Sequence, residues 1–349
     1  MTERGAQVCF RVDGGGVVGM GHVVRCLALA QILRDRYGCQ VRFAMSEDQV
    51  GISHVAGQGW PVARVERDDL CDAECDAVII DLPAGAPAKE VRRLRDWNDR
   101  ALILLMHGMC DGRLEADLVV TPIERLANAS VWKGFRGRRY EGPRYAILDP
   151  AYARVPKRAT PGAGTPRLLV TMGGSDPYGL TLQTLRALDE MQVEDSFETT
   201  VALGPAFLHE AELQLWLQRA RRGYEIRREK SLLDLMVASD VAVVSYGTTV
   251  FELAATGLPA IAFSITDDHL QSANVFARGG SLISLGLFSE VRDDRLRESV
   301  RGLLNDRPRR AAMALAGQLL VDGKGAERVA ELLVRQIQEY RADATGVAK

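Results

Sequence analysis

The sequence predicts an α/β protein of two Rossmann-like, doubly wound parallel sheets, on three observations. Short apolar strands alternate with helical segments twice along the chain, the spacing that βαβ units produce. At 349 residues the chain exceeds one ordinary hydrophobic core. The alternation also breaks between Trp132 and Thr165, in a stretch rich in Gly, Arg and Pro that ends in KRATPGAGTP, the composition of an interdomain linker. The expected domains are residues 1–155 and 166–325, followed by a C-terminal helix and tail, 326–349.

The first half opens with the strand VCFRV (8–12), a glycine-rich loop and a helix from about His22 whose apolar face is Val23, Leu27, Ala30 and Leu33. VRFAM (41–45) follows as a strand, then a helix within EDQVGISHVAGQG, the strand DAVIIDL (76–82) and a charged helix from Lys89 to Trp97. ALILLM (101–106) and ADLVVTP (116–122) complete this sheet. The second half resumes with RLLVTM from Arg167, then strand 198–203, helix 206–219, strand 224–228 and helix 231–237. DVAVVS (240–245), a helix from Thr248, AIAFS (260–264), a helix from Leu270 and SLISLG (281–286) finish the second sheet, before helices at 292–304, 308–319 and 325–342.

Composition excludes several classes. Lys+Arg 44 against Asp+Glu 46 gives a net charge of -2, so no global basic field invites nucleic acid. No apolar run is long enough to span a bilayer, and MTERGAQ lacks the apolar core of a signal peptide, so a cytoplasmic protein without membrane insertion is expected. The scattered cysteines read as buried thiols of a reducing compartment; Cys71 and Cys75 are close, but no second pair or nearby histidine completes a zinc site. Neither a metal nor a cofactor is expected, and oligomeric state has no sequence signature.

Three loops stand where strands give way to helices, the carboxyl-end position at which such sheets bind ligands. The first, Asp13 to His22, shares that edge with Asp81. Its Gly14, Gly16 and Gly19 satisfy a dinucleotide spacing, with Glu47 or Asp48 after the second strand. The helix, however, starts after His22 rather than at the last glycine, and hydride-transfer partners are missing. A tight turn with a capping histidine is one alternative. A histidine acting as general base in a glycine-walled pocket is another. The second loop, TMGGSDPYG (171–179), offers Gly173, Gly174 and Ser175 to an anion, with Asp176-Pro177 as the helix start. The third, SYGTTVFELAATGLP (245–259), brings Tyr246, Gly247, Thr248 and Thr249 to a second anion cradle. Glu252 either closes a capping box with Thr249 or accepts hydrogen bonds from a vicinal diol such as a ribose. Thr266, Asp267, Asp268, His269 and Gln271 crowd into a further loop.

Taken together, these residues resemble the hydrolases of pseudaminic acid biosynthesis, which release UDP from a UDP-linked diacetamido-trideoxy sugar. They equally resemble the related spore-coat polysaccharide glycosyltransferases. The matching stretches are Asp13 to Ala30 with His22 and Arg25, GPRYAILDPAY (142–152), VTMGGSDP (170–177), the run 247–259 and DGKGAERV (322–329). The second half also looks, more distantly, like the nucleotide-binding domain of the GlcNAc transferase of peptidoglycan lipid intermediates. The resemblance implies a GT-B fold whose two domains face a central cleft. It implies His22 as the base that activates water at the anomeric carbon, with Asp13, Gly14, Gly21 and Arg25 around the sugar. Gly173, Gly174, Ser175, Thr248 and Thr249 would hold the diphosphate and Glu252 the ribose, with no metal required. The implied activity is inverting hydrolysis of a UDP-activated amino or deoxy sugar in nonulosonate or surface-polysaccharide biosynthesis. Transfer to a hydroxyl acceptor and non-catalytic nucleotide-sugar binding are the alternatives. Two departures mark this chain: Asp268-His269, with Gln271 nearby, replaces an Asn-Gln pair, and MHGMCDG (106–112) replaces an Ile-Asp-Asp turn, leaving His107 as a second histidine.

Overall fold

A computed structural model of the chain describes residues 5–15, 19–46, 49–107, 110–123, 129–157, 164–192 and 196–344. Gly16, Glu47, Asp48 and much of the expected linker lie outside the described residues. The chain divides into two compact units, residues 1–150 with 323–349, and 151–322.

The first unit runs β1 (Gln7–Val12), α1 (Gly21–Tyr37), β2 (Gln40–Met45), α2 (Gln49–Gly57), β3 (Val62–Arg64), β4 (Ala77–Asp81), α3 (Ala88–Trp97), β5 (Leu102–Met106), β6 (Leu118–Thr121) and β7 (Arg138–Glu141). Its strands form one parallel sheet in the order β3-β2-β1-β4-β5-β6-β7. Strands covered on both faces need side chains that tolerate burial at every position. That is why β5 reads as the unbroken apolar run LILLM and β4 as AVII closed by Asp81, with every residue buried. The edge strands β3 and β7 carry no such run, and neither was expected from sequence; β7, RRYE, falls within the stretch where the alternation broke down.

The second unit runs β8 (Arg167–Thr171), α4 (Leu180–Asp189), β9 (Glu198–Ala202), α5 (Glu210–Leu217), β10 (Glu225–Arg227), α6 (Leu233–Ala238), β11 (Val241–Ser245), α7 (Thr248–Thr256), β12 (Ala260–Ser264), α8 (Asp267–Arg278), β13 (Leu282–Leu287), α9 (Asp293–Asn305) and α10 (Arg307–Leu320). Its parallel sheet is ordered β10-β9-β8-β11-β12-β13. Leu168, Val170, Val243, Ile261 and Phe263 carry the sheet's share of a core completed by Leu185, Leu188, Val300 and Leu303.

The final helix, α11 (Gly325–Ala344), belongs to the first unit. Val329, Ala330, Leu333 and Ile337 join the core that includes Val23, Leu27, Leu29, Leu33, Phe10 and Phe43. A Cβ on Gly325 would come within 2.0 Å of the Ala146 carbonyl oxygen, so only glycine allows this approach. Arg341 then pairs with both carboxylate oxygens of Asp76, at 3.0 and 2.7 Å. Lying against both this helix and the sheet, α1 buries Cys26, Ala28, Leu29 and Ile32 as well as its predicted apolar face.

Candidate active site

In the first unit the strand order reverses direction of progress between β1 and β4, which makes their carboxyl ends the natural binding crevice. Asp81 closes β4 opposite Val12 of β1. It is buried, yet carries four polar contacts. Arg25 donates to it twice, Nε to Oδ2 at 2.5 Å and Nη2 to Oδ1 at 2.6 Å. Nδ1 of His22 stands 2.9 Å from Oδ1. Burial opposes a charge on Asp81, but the Arg25 guanidinium and the hydrogen bonds from His22 and Arg25 outweigh it, holding the carboxyl far below the usual carboxylate range. The thiol of Cys26, 3.5 Å from Oδ2, is pushed up by its own burial and by this carboxylate.

His22 sits in the first turn of α1, with its side chain 22% exposed. Arg25 Nη2 also comes within 2.6 Å of Nδ1. A guanidinium only donates and a carboxylate only accepts, so Nδ1 serves one partner at a time. Arg25 is already satisfied by Asp81, so the arrangement that adds a hydrogen bond has Nδ1–H donating to Asp81. In that tautomer the lone pair is on Nε2. His107 is close by, its ring centroid 6.4 Å from that of His22, and its φ of 67° places a non-glycine residue in the left-handed region at the end of β5.

The glycine loop is anchored from both sides. Asp13 accepts from Arg11 Nη1 at 2.7 Å and from the Ser46 N–H at 2.8 Å, tying the end of β1 to the end of β2. Gly15 and Gly19 exchange backbone hydrogen bonds of 3.2 and 2.8 Å, and Gly19 has φ 82°. A side chain on Gly14 would meet Val23 Cγ2 at 2.7 Å, which fixes glycine where the loop crosses α1. Gly21 is the first residue of α1, whose N-terminus has no side-chain cap.

In the second unit the equivalent reversal lies between β8 and β11. A Cβ on Gly173 would lie 3.9 Å from Ser245 Oγ, so the two expected anion loops are neighbours. They differ in what remains available. α4 begins at Leu180, not at Pro177, and Asp176 already accepts from the Leu180 and Thr181 N–H groups at 2.8 Å each. The Gly174 and Ser175 carbonyls accept from Ala206 and Leu208. The first turn of α4 is thus filled by the chain's own carboxylate. α7 has Gly247 as N-cap, no side-chain cap and no acidic residue in its first turn, so a Thr249–Glu252 capping box does not form. Thr248 and Thr249 are its first two residues, and Glu252 lies one turn further on.

The stretch expected as a loop up to Leu270 is instead helical from Asp267. Thr266 accepts from the His269 N–H at 3.2 Å, and two aspartates in the first turn suit the helix dipole. Asp268, His269 and Gln271 therefore project from α8, and the His269 ring lies 5.5 Å from the ring of buried Tyr246. Asp81, which the sequence places on the same sheet edge but not among the candidate site residues, is the side-chain partner of His22. Its signal was its place at a strand's carboxyl end; its pairing with His22, 59 residues away, had none.

No family model matches the chain. Over 328 residues it is 28% identical to the spore coat polysaccharide biosynthesis protein SpsG of Bacillus subtilis, across 92% of this chain and 96% of that protein. Among solved structures it is similar to MurG of Acinetobacter baumannii, with a TM-score of 0.66 and 15% identity over 95% of this chain and 99% of MurG. It is also similar to the spinosyn rhamnosyltransferase SpnG complexed with thymidine diphosphate, with a TM-score of 0.60 and 16% identity over 95% of this chain and 100% of SpnG. No described helix is long and apolar enough to cross a membrane. The chain has the GT-B fold, two parallel-sheet Rossmann-like domains with helices.

Proposed function

We propose that the protein is a nucleotide-sugar-dependent glycosyltransferase with His22 as its general base. The observation that carries this reading is the buried Asp81 carboxylate beside His22 Nδ1, which leaves Nε2 as the proton acceptor. The acceptor hydroxyl gives its proton to Nε2 as its oxygen attacks the anomeric carbon. The bond from that carbon to the diphosphate oxygen breaks, and the nucleoside diphosphate leaves with the electron pair, inverting the centre. Asp81 stabilises the imidazolium that forms.

The backbone N–H groups that open α7, together with Thr248 and Thr249, suit the diphosphate charge that grows as the bond breaks. Gly173, Gly174 and Ser175 line the neighbouring loop, and Glu252 would accept from the ribose hydroxyls. Asp268, His269 and Gln271 on α8 remain candidates for sugar selection, and Asp13, Gly14, Gly21 and Arg25 for shaping the His22 side. The likeness to a spore-coat polysaccharide biosynthesis protein and to glycosyltransferase folds favours a sugar acceptor over water. Hydrolysis to pseudaminic acid precursors, the first reading of the sequence, has no support from these relatives. A panel of nucleotide sugars incubated with and without glycan acceptors, with free nucleotide and sugar products measured together, tests this. Nucleotide release that depends on an acceptor supports transfer; equal release without one replaces it with hydrolysis.

A further inference from the structure

On the sheet face opposite α1, three cysteines distant in sequence come together. Cys9 is fully buried in β1, and its register partner on β2 is Arg42. The irregular segment between β3 and β4 lays Cys71, Asp72 and Cys75 over this point. Cys71 Sγ is 3.8 Å from Cys75 Sγ. The Cys9 and Cys71 sulfurs and an Asp72 carboxylate oxygen all lie within 4.8 Å of one another. Cys71 is thus shared by the pair and the trio.

We propose that Cys9, Cys71, Cys75 and Asp72 form a site for a thiophilic divalent cation of the zinc class. Tetrahedral coordination with metal–sulfur bonds of about 2.3 Å sets neighbouring sulfurs about 3.8 Å apart. The Cys71–Cys75 separation already has that value. Drawing the trio to that spacing requires side-chain movements of about 1 Å by Cys71 and Asp72 toward Cys9. Cys75, which lies outside the trio, joins through its contact with Cys71 by a further movement of the same irregular segment. Binding displaces the thiol protons to solvent, leaving three thiolates and one carboxylate around the dication.

The surroundings suit this charge. Arg42 Nε is 3.2 Å from Asp72 Oδ1 and its Nη2 is 4.0 Å from Cys71 Sγ, which offsets part of the excess negative charge. The same Nη2 donates to the Ala73 and Glu74 carbonyls, at 2.5 and 3.2 Å, fixing the segment's path. Asn98 Nδ2 donates to the Cys75 carbonyl at 3.1 Å and stands 4.0 Å from Cys75 Sγ, an outer contact that orients the thiolate. Nothing in glycosyl transfer uses these groups, so the cation's role is structural. It would fasten the segment to the middle of the sheet. That segment also meets buried Arg11, whose Nε donates to the Asp69 carbonyl at 2.8 Å while its Nη1 holds Asp13.

The test uses the full-length chain, reduced and stripped with a chelator, then titrated with Co²⁺ and Zn²⁺. One equivalent of Co²⁺ should bring up a thiolate-to-metal charge-transfer band with tetrahedral d–d bands, both displaced by Zn²⁺. Cys71→Ser should remove the band, whereas Cys39→Ser, at a thiol outside the group, should keep it. Should Cys71→Ser fail to fold, alkylation of the wild-type chain decides. Zn²⁺ should protect Cys71 and Cys75 from iodoacetamide, read by mass spectrometry. Absence of the band, its persistence in folded Cys71→Ser, or alkylation unchanged by Zn²⁺ overturns the proposal.

Discussion

Asp81 Oδ1 lies 2.9 Å from His22 Nδ1, so a strand end fixes the ring of a histidine on a different element. Orientation and charge compensation come from one buried carboxylate, which Arg25 in turn keeps ionised. The consequences separate into chemistry and stability.

For the chemistry, His22→Ala removes the proposed base without touching the Arg25–Asp81 pair. Turnover should fall by about 10²–10⁴-fold, with nucleotide binding by calorimetry little changed. Wild-type turnover in a folded His22→Ala chain would rule out the role of this histidine.

For stability, Asp81→Asn leaves the Arg25 guanidinium nearly buried without its counter-charge. Breaking one side of such a pair costs about 3–5 kcal/mol. The urea midpoint should drop accordingly, and by far more than for a surface pair such as Arg34–Asp35.

The same carboxyl makes stability depend on pH. Its folded pKa is depressed below an unfolded value of about 3.9. Its stabilisation is therefore complete above the unfolded value and is lost as pH falls through that value toward the folded one. Denaturation followed across this acid range should show a steeper loss for the wild-type chain than for Asp81→Asn, which lacks the titrating group. Parallel curves would contradict the linkage.

In the second unit, Asp176→Ala removes the acceptor of two N–H groups at the start of α4. A loss of about 0.5–2 kcal/mol is expected, the usual worth of a helix cap, and it should be visible in the thermal midpoint. An unchanged midpoint would mean that water replaces the carboxylate at no cost.

Close backbone approach gives a fifth check. A Cβ on Gly51 would lie 2.0 Å from the Gly14 carbonyl oxygen, so Gly51→Ala must push α2 away from the glycine loop. The expected cost is about 1–3 kcal/mol, with turnover reduced because the loop beside His22 shifts. Full activity in Gly51→Ala would show that the loop tolerates displacement.

What the sequence disclosed follows from range. Both sheets were legible because covered parallel strands need continuous apolar runs, as in β5, and the loop glycines declared their turns. The polar edge strand β7 lacks that signature and was missed. Asp176 signals a helix start, but only its hydrogen bonds show where α4 begins, and Thr266, expected in a loop, turns out to cap α8. Long-range pairings left no trace: Asp81 with His22, and Cys9 with Cys71, depend on which strands become neighbours. The left-handed backbone at His107 was equally silent, since no residue type announces it.

The return of α11 to the first unit makes residues 151–322 one uninterrupted stretch inserted between two parts of the other. A chimera that exchanges this stretch therefore needs two junctions, one near Pro150 and one near Gly323. A single C-terminal truncation at the second junction would strip Val329, Leu333 and Ile337 from the core beneath α1 and damage the half that carries His22. The second half of the chain is thus a cassette, and the chain's last residues belong to the integrity of its first.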